Sequence, residues 1–179
     1  MLRTLFISLL CLLGTTRALA WGQKGHDVVA YIAECNLTPK AKKTIEKILG
    51  HSIVYYATWM DEWRAEPGYE HTSAWHTASV DKNLVYAPRP KGDVIFALED
   101  AIAKLQDYKQ QDDSTVVMSL RCIIHFVGDM HCPVHVKYAD QKSYNVYLNG
   151  DKCSYHNVWD DQIISRSHRW GYLEYAHQL

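Results

Sequence analysis

The 179-residue sequence lacks the features that mark several large protein classes. It contains no C-x-x-C pair, so a zinc-finger or thioredoxin-like site finds no support. Lys and Arg number 19 against 20 Asp and Glu, which excludes binding to duplex DNA through a strongly positive surface alone. Internal repeats and low-complexity tracts are also absent, and the length suits one domain.

A long apolar run is missing as well, because the most apolar stretch, residues 5–13, is too short to span a bilayer as a stable helix. It follows Arg3 and precedes the tripeptide A-L-A at 18–20, an arrangement typical of a cleavable signal peptide. We expect residues 1–20 to be removed before Trp21 and the protein to be secreted or periplasmic, without a membrane anchor. Residues 21–179 then carry 17 basic and 20 acidic side chains, a formal charge of −3.

Four cysteines follow the predicted cleavage site: Cys35, Cys122, Cys132 and Cys153. Export permits disulfides, and four cysteines allow three full pairings between which the sequence does not choose. A Cys122–Cys132 pair is disfavoured, because ten helical residues would separate the two by ~15 Å.

Caps, chain breakers and apolar spacing predict a mostly helical chain with one small β-hairpin. Thr38-Pro39 begins a helix that Gly50 ends, and further helices are predicted over residues 55–64, 94–110 and 155–165. Residues 144–148 are strand-like, and Asn149-Gly150 predicts a tight hairpin turn. In the 94–110 helix the core-facing residues are predicted to be Val94, Leu98, Ile102 and Leu105.

The stretch RCIIHFVGDMHCPVH at 121–135 organises the candidate site. It is predicted to lie on a helix capped by Ser114 that ends before Pro133. His125 and Asp129 are four residues apart and therefore share one helix face, as a zinc-binding pair would. An ion pair or a capping interaction is the simpler alternative. The same spacing recurs at 156 and 160, which favours the metal site.

Eight side chains form the set of candidate ligands, five histidines and three carboxylates, which is the ligand chemistry of hydrolytic zinc sites. They are His26, Asp61, His76, His125, Asp129, His135, His156 and Asp160. The remaining histidines are interpreted as surface or core residues: His51, His71, His131, His168 and His177.

These residues lie in motifs that resemble the secreted zinc-dependent single-strand nucleases, also called nuclease/3′-nucleotidases, and more distantly the bacterial zinc phospholipases C. The motifs are WGQKGH at 21–26, WMDEWR at 59–64, AWH at 74–76, HFVGDMHCPVH at 125–135 and HNVWD at 156–160. The resemblance implies a single helical domain of that type over residues 21–179. Family chains continue for several helices beyond Leu179, so we expect the carboxy-terminal helices of the bundle to be missing.

The resemblance also implies three zinc ions. The first would be held by Asp61, His76, His125 and Asp129. The second would share Asp129 and take His26 with the amine and carbonyl oxygen of Trp21, an amine that only cleavage would free. The third would be held by His135, His156 and Asp160.

The implied activity is hydrolysis of phosphodiester bonds in single-stranded RNA and DNA, and of 3′-nucleotides, by a zinc-activated water that attacks phosphorus and leaves 5′-phosphates. Asp61 and Asp129 would act as catalytic metal ligands, and Arg64 would contact the phosphate as a catalytic and substrate-binding residue. Asn145, at the end of the segment that replaces a glycine-rich family turn, is expected to contact substrate. No obligate protein partner is implied.

Two positions depart from the family pattern. Thr77 stands where an aromatic residue often stacks on a base, an interaction that contributes ~1–3 kcal/mol per base. Cys132 stands where glutamine is usual. The candidate replacements for the missing aromatic ring are Tyr69, Tyr86, Tyr144 and Tyr155.

Three other functions compete with a nuclease. Phospholipase C activity is the alternative within the enzyme class, and a non-catalytic exported zinc-binding protein is the alternative outside it. A cytosolic His-Asp phosphohydrolase, which His26-Asp27 would fit, is disfavoured by the predicted signal peptide.

Overall fold

The computed structural model describes residues 22–179, and its architecture is mostly helical, as predicted. The predicted signal peptide and Trp21 lie outside the described residues. The described helices are α1 (Gln23–Asn36), α2 (Pro39–Leu49), α3 (Trp59–Trp63), α4 (Val94–Gln106), α5 (Asp113–Met130), α6 (Tyr155–Asn157), α7 (Ile163–Ser167) and α8 (Tyr172–Ala176). Short 3₁₀ turns lie at Ile53–Tyr56, Glu70–Ala74, Tyr108–Gln110 and Pro133–His135.

Helix α5 is the centre of the fold, because apolar residues pack on two of its sides. It lies along α4 and also contacts α1 and α3. The buried cluster on the α4 side consists of Met60, Ala78, Val94, Ala97, Ala101, Cys122 and Phe126. A second buried cluster, on the α2 side, consists of Ala30, Leu49, Ile53, Tyr56 and Ala57. Burial of these apolar side chains stabilises the packing around α5, and each Å² of apolar surface removed from water contributes ~25 cal/mol.

The start and end of α2 follow the sequence prediction. The Thr38 hydroxyl accepts a hydrogen bond from the amide of Ala41 at 3.2 Å, and Pro39 is the first helical residue. Gly50 adopts a left-handed conformation with φ 81°, and its N–H donates to the Glu46 carbonyl at 2.8 Å. A glycine fits this position because a Cβ would be strained there.

The predicted cap of the organising helix was wrong. Asp112, not Ser114, precedes α5, and its carboxylate accepts hydrogen bonds from the Thr115 amide at 2.9 Å and hydroxyl at 2.7 Å. An ionised carboxylate at a helix amino terminus also interacts favourably with the helix dipole. The helix does end before Pro133, as predicted.

The single helix predicted over residues 55–64 is divided into a 3₁₀ turn and α3. In a continuous helix the Ala57 carbonyl would accept the amide of Asp61. It accepts a ring nitrogen of His125 instead, at 2.8 Å, and the Asp61 amide donates to Thr58. The hydrogen bond from His125, a candidate metal ligand, to the Ala57 carbonyl therefore interrupts the predicted helix.

The buried face of α4 also differs from the prediction. Val94 is buried and Leu98 packs against the buried cluster, as predicted, but Ala97 and Ala101 form the rest of the buried face and Ile102 is 49 % exposed. Small residues on this face let α4 approach α5 closely. The helix ends at Gln106 rather than 110, and a 3₁₀ turn follows it.

The predicted hairpin is present, and the structure adds a second sheet that was not predicted. Strands β3 (Asn145–Leu148) and β4 (Asp151–Ser154) are antiparallel and joined through Asn149 and Gly150, both with positive φ. Strands β1 (Ala78–Val80) and β2 (Val136–Tyr138) are parallel. This pairing ties the segment after His76 to the segment after His135.

The predicted helix over 155–165 is present with a modification. A π-helical turn at Val158–Gln162 separates α6 from α7 and contains Asp160. Such a turn widens the helix locally and is often found at functional sites.

Two expectations concern the membrane and the cysteines. Within the described residues, no helix combines the length and apolar character needed to cross a membrane. Cys35, Cys122, Cys132 and Cys153 are all free thiols, so none of the three possible pairings is formed.

Candidate metal centre

Four side chains from three parts of the chain meet at one buried point. Asp61 comes from α3, His76 from the segment before β1, and His125 and Asp129 from one face of α5. Asp129 Oδ2 lies 2.9 Å from His76 Nδ1 and 3.2 Å from His125 Nε2, and these two nitrogens are 3.1 Å apart. Asp61 Oδ1 lies 3.6 and 3.8 Å from the same nitrogens.

Five of the six separations among these four atoms are close to those expected between the ligands of one zinc ion. Zinc binds nitrogen and oxygen at ~2.0–2.1 Å, so the ligand atoms of a tetrahedral site are roughly 3.3 Å apart. The five separations given above run from 2.9 to 3.8 Å and bracket that value. Asp61, His76 and His125 form one candidate metal group, and Asp129 lies against the same two ring nitrogens, so the donor chemistry of the first predicted ligand set suits zinc.

The ring of His125 is oriented for metal binding by a backbone contact. Its Nδ1 is 2.8 Å from the Ala57 carbonyl, an acceptor only, so Nδ1 carries the proton and donates. Nε2 faces Asp61 and Asp129, and although burial lowers the pKa of His125, these carboxylates raise it, so a metal ion bound at Nε2 would displace a proton. A hydrogen bond that fixes the tautomer of a histidine ligand in this way is usual at metal sites.

The second oxygen of Asp129 faces another pair of histidines. Oδ1 lies 3.5 Å from His26 Nε2 and 3.0 Å from His135 Nδ1. The rings of His26 and His125 stack with centroids 4.3 Å apart. Trp21, the remaining predicted ligand of this site, lies outside the described residues. The next residue, Gly22, lies beside the third predicted ligand set, because its amide donates to the carbonyl of Asp160 at 2.7 Å.

The third predicted ligand set is also brought together. Asp160 Oδ1 lies 3.2 Å from His135 Nε2, and its Oδ2 lies 2.9 Å from His156 Nε2. The two imidazole rings stack with centroids 5.2 Å apart. His135 is buried, whereas 40 % of the His156 side chain is exposed, so solvent reaches the cluster from the side of His156.

The contacts of His135 are ion-pair contacts and not hydrogen bonds. Both ring nitrogens are buried, and neither has a hydrogen-bond partner despite carboxylate oxygens at 3.0 and 3.2 Å. In a tetrahedral metal site the nitrogen lone pair points at the ion and not at the neighbouring ligand oxygen, so this geometry suits a ligand.

The match to known sequences covers nearly all of the chain. The sequence model of the S1/P1 nuclease family matches residues 21–178. The chain belongs to the S1/P1 nuclease family. The resemblance drawn from the motifs is thereby confirmed.

Curated members of the S1/P1 nuclease family show a modest identity. Endonuclease 2 of Arabidopsis thaliana is 26 % identical over 162 residues, which cover 80 % of this chain and 56 % of the relative. Nuclease S1 of Aspergillus oryzae is 26 % identical over 159 residues, with 80 % and 54 % covered. Nuclease P1 of Penicillium citrinum is 29 % identical over 157 residues, with 78 % and 57 % covered. The chain thus spans a little over half the length of relatives named as nucleases, which are hydrolases of phosphodiester bonds.

The charges in this S1/P1 family site are strongly coupled. Burial opposes ionisation of Asp129, but His125 and the other histidines around it hold its pKa well below the usual range. Burial likewise opposes ionisation of Asp160, yet His135 and His156 lower its pKa to about 2. Burial lowers the pKa of His26 and of His76. Both carboxylates are therefore ionised and these two imidazoles are neutral, as metal binding requires, whereas neighbouring carboxylates outweigh burial and raise the pKa of His125 and of His135.

Arg64 and Asn145 were both predicted to contact substrate. In the structure Arg64 lies beside Asp61, whereas Asn145 lies on the β-hairpin. Arg64 Nη1 lies 3.5 Å from Asp61 Oδ1, and 22 % of its side chain is exposed. It therefore lies at the edge of the first cluster, next to solvent. Asn145 is exposed on β3 and pairs with Ser154, which lies two residues before His156 in the sequence. Among the described residues, no contact joins Asn145 to the ligand clusters.

The four tyrosines that were predicted as replacements for an aromatic ring at Thr77 have different surroundings. The Tyr86 hydroxyl donates to the buried Asp93 carboxylate at 2.9 Å, and the Tyr69 ring packs on Trp63. Tyr144 and Tyr155 stack on each other with centroids 4.8 Å apart. Of the four, this last pair lies beside a predicted ligand, since Tyr155 directly precedes His156.

Two residues of the site were not identified as functional from the sequence. The Cys132 thiol lies 3.1 Å from Asp160 Oδ1, although cysteine was not included among the predicted ligands. Gly128 lets the His26 ring pack directly on α5, where a Cβ would be 2.4 Å from His26 Nδ1. A glycine inside a helix costs ~1 kcal/mol relative to alanine, which is the one signal in the sequence that could have identified Gly128.

Proposed function

We propose that this protein is a zinc-dependent nuclease and 3′-nucleotidase that hydrolyses phosphodiester bonds of single-stranded RNA and DNA and leaves 5′-phosphates. The observation that carries the proposal is the buried cluster of Asp61, His76, His125 and Asp129, in which both carboxylates face the same two imidazole nitrogens at 2.9–3.8 Å, distances close to those between ligands of one zinc ion. Family membership supports the reaction class.

The roles of the remaining ligands follow from their positions around Asp129. Its Oδ2 serves the first cluster, while its Oδ1 faces His26, so one carboxylate would bridge two ions. The amine of Trp21 would complete the second site after signal-peptide cleavage. His135, His156 and Asp160 would hold a third ion, beside the exposed edge of the cluster.

Zinc, when bound at such paired sites, lowers the pKa of water and stabilises charge on phosphoryl oxygens. The protein residues then position the substrate and neutralise its charge. Arg64, at the partly exposed edge of the first cluster, can offer two parallel N–H donors to the phosphate. A formal charge of −3 supplies no general positive field for a nucleic acid, so binding of the substrate phosphates would depend on the metal ions and on Arg64.

The test combines metal content and product release. The mature protein, starting at Trp21, should contain three zinc ions and release mononucleotides with 5′-phosphates from single-stranded RNA. A chelator should abolish the release, and zinc should restore it. His125→Gln should lose both zinc and turnover, because the ring belongs to the first cluster.

His131→Gln is the matched control, since His131 lies on an exposed turn six residues further along and contacts the Val127 carbonyl rather than a ligand. It should keep zinc and turnover. Hydrolysis of phosphatidylcholine without cleavage of nucleic acid would replace the proposal with the phospholipase C alternative. Stoichiometric zinc without turnover on any of these substrates would replace it with a non-catalytic zinc-binding protein.

A further inference from the structure

One buried thiol faces the third ligand cluster. Cys132 is 1 % exposed, and its Sγ lies 3.1 Å from Asp160 Oδ1. Its amide donates to the Asp129 carbonyl at 3.0 Å, and its own carbonyl accepts from the His135 amide at 3.0 Å. These two bonds hold the Cys132 backbone between Asp129 and His135, and the thiol contacts Asp160 of the third cluster.

The ring of His135, whose nitrogens lack hydrogen-bond partners, is the second observation at this point. It is 1 % exposed, neither ring nitrogen has a hydrogen-bond partner, and Nε2 lies 3.2 Å from the oxygen that Cys132 Sγ contacts. Cys132, His135 and Asp160 each direct one ligand atom into a region in which all three atoms lie within 4.8 Å of one another. With Zn–S of ~2.3 Å and Zn–O of ~2.0 Å, sulfur and oxygen in a tetrahedral site are roughly 3.5 Å apart. The observed 3.1 Å is close to that spacing.

Cys122 shows what a cysteine that only fills space looks like in this protein. It is buried in the apolar cluster between α4 and α5, among Val94, Ala97 and Phe126. Cys132 belongs to neither apolar cluster of the described residues and contacts a carboxylate instead. The burial of the two thiols is similar, so the difference lies in the chemistry of their neighbours.

We propose that Cys132, as a thiolate, is a fourth protein ligand of the ion held by His135, His156 and Asp160. The inference rests on the zinc centre proposed above. The thiol proton is released to solvent as the sulfur–metal bond forms, so metal uptake at this site releases one proton more than a site without the cysteine.

The fourth ligand changes the role of the third ion. Two histidines and one carboxylate leave a tetrahedral ion one open position, as catalytic zinc sites do, whereas four protein ligands give the closed arrangement of structural sites. Thiolate also donates more charge to zinc than water does. In this protein the third ion would bind more tightly and contribute less to hydrolysis than the pair bridged by Asp129.

Cobalt is the direct probe, because a thiolate bound to Co²⁺ gives an intense near-ultraviolet charge-transfer band that nitrogen and oxygen ligands do not give. The mature protein loaded with Co²⁺ should show this band, and Cys122→Ala should keep it. Cys132→Ser should lose the band and bind its third metal ion ~10–100-fold more weakly in a competition with a chromophoric chelator. Proton release on metal uptake should fall by one.

X-ray absorption at the zinc edge on the unmodified protein keeps the inference testable if Cys132→Ser does not fold. A sulfur neighbour at ~2.3 Å would support it. Three bound zinc ions with no sulfur neighbour and no charge-transfer band would overturn the inference and leave the proposed function standing. A protein that binds no zinc would overturn both.

Discussion

Gly128→Ala should disrupt the site from inside α5. Gly128 is buried one residue before Asp129, and a Cβ built there would lie 2.4 Å from His26 Nδ1 and 3.1 Å from His26 Cε1. Contacts of a real Cβ below 3.0 Å essentially do not occur, so either the His26 ring or the helix must move. The ring cannot move freely, because it is buried and stacks on His125 at 4.3 Å.

Two effects of opposite sign decide the stability of this variant. Alanine is favoured over glycine inside a helix by ~0.8–1.0 kcal/mol. Overpacking of a buried site typically costs ~1–3 kcal/mol, and here the neighbour is a rigid ring. We expect a net loss of ~1–2 kcal/mol, which is a decrease in Tm of ~2–8 °C for a domain of this size.

The assay is thermal unfolding of the metal-free protein, followed by zinc titration. The affinity for the ion at His26 should fall at least ~10-fold, while the ion held by Asp61, His76, His125 and Asp129 should be bound with a smaller loss. The control is the same substitution in a His26→Ala background, where the ring that the new Cβ would meet is absent. There Gly128→Ala should stabilise the protein by up to ~1 kcal/mol through helix propensity alone. A higher Tm for Gly128→Ala with His26 in place, or an equal loss in both backgrounds, would refute the reasoning.

Four other outcomes are expected. Asp129→Asn should reduce turnover and zinc content more than Asp160→Asn, because Asp129 faces four histidines and Asp160 faces two. Equal losses in the two variants would leave the bridging role of Asp129 without support. Arg64→Lys should lower kcat ~10-fold or more, equivalent to ~1.4 kcal/mol, with zinc content and Tm near those of the parent; parental kcat would make Arg64 a structural residue. Tyr86→Phe should lower the free energy of unfolding by about 1–2 kcal/mol without changing KM, since its hydroxyl donates to buried Asp93, and a raised KM with unchanged stability would instead indicate base stacking. A version with one extra residue before Trp21 should lose the second zinc and most turnover, and three bound zinc ions with normal turnover would contradict the proposed amine ligand.

The parts of this structure that the sequence predicts best are those with local causes. The Thr38 cap, the Gly50 terminus and the Asn149-Gly150 turn each depend on a few neighbouring residues. The pairs His125–Asp129 and His156–Asp160 also belong here, because a four-residue spacing on a helix brings two side chains together whatever the rest of the chain does. Both pairs make ion-pair contacts in the structure.

The features that the sequence did not predict have tertiary causes. The break in the helix predicted over 55–64 follows from a hydrogen bond between Ala57 and His125, 68 residues apart in sequence. Strands β1 and β2 are three residues long, too short for an alternating pattern, and their pairing joins segments that lie far apart in the sequence. The exposure of Ile102 depends on which face of α4 the small residues Ala97 and Ala101 present to α5. The grouping of His26, Asp61 and His76 with α5 was predicted through family resemblance and not through spacing.

His135 joins what would otherwise be two separate clusters, and this explains why the site should respond as one unit. Its Nδ1 faces Asp129 Oδ1, whose carboxylate also belongs to the first cluster, and its Nε2 faces Asp160 Oδ1. An imidazole that ligates a metal through one nitrogen keeps the other for a neighbouring carboxylate, and that neighbour sets the charge on the ligating atom. Because burial is outweighed by Asp129 and Asp160, the pKa of His135 is raised to about 9, so an ion that takes its lone pair must displace a tightly held proton. Filling of the proposed third site would therefore depend on the charge of Asp129, and that charge would depend on whether metal occupies the two sites that this carboxylate is proposed to bridge.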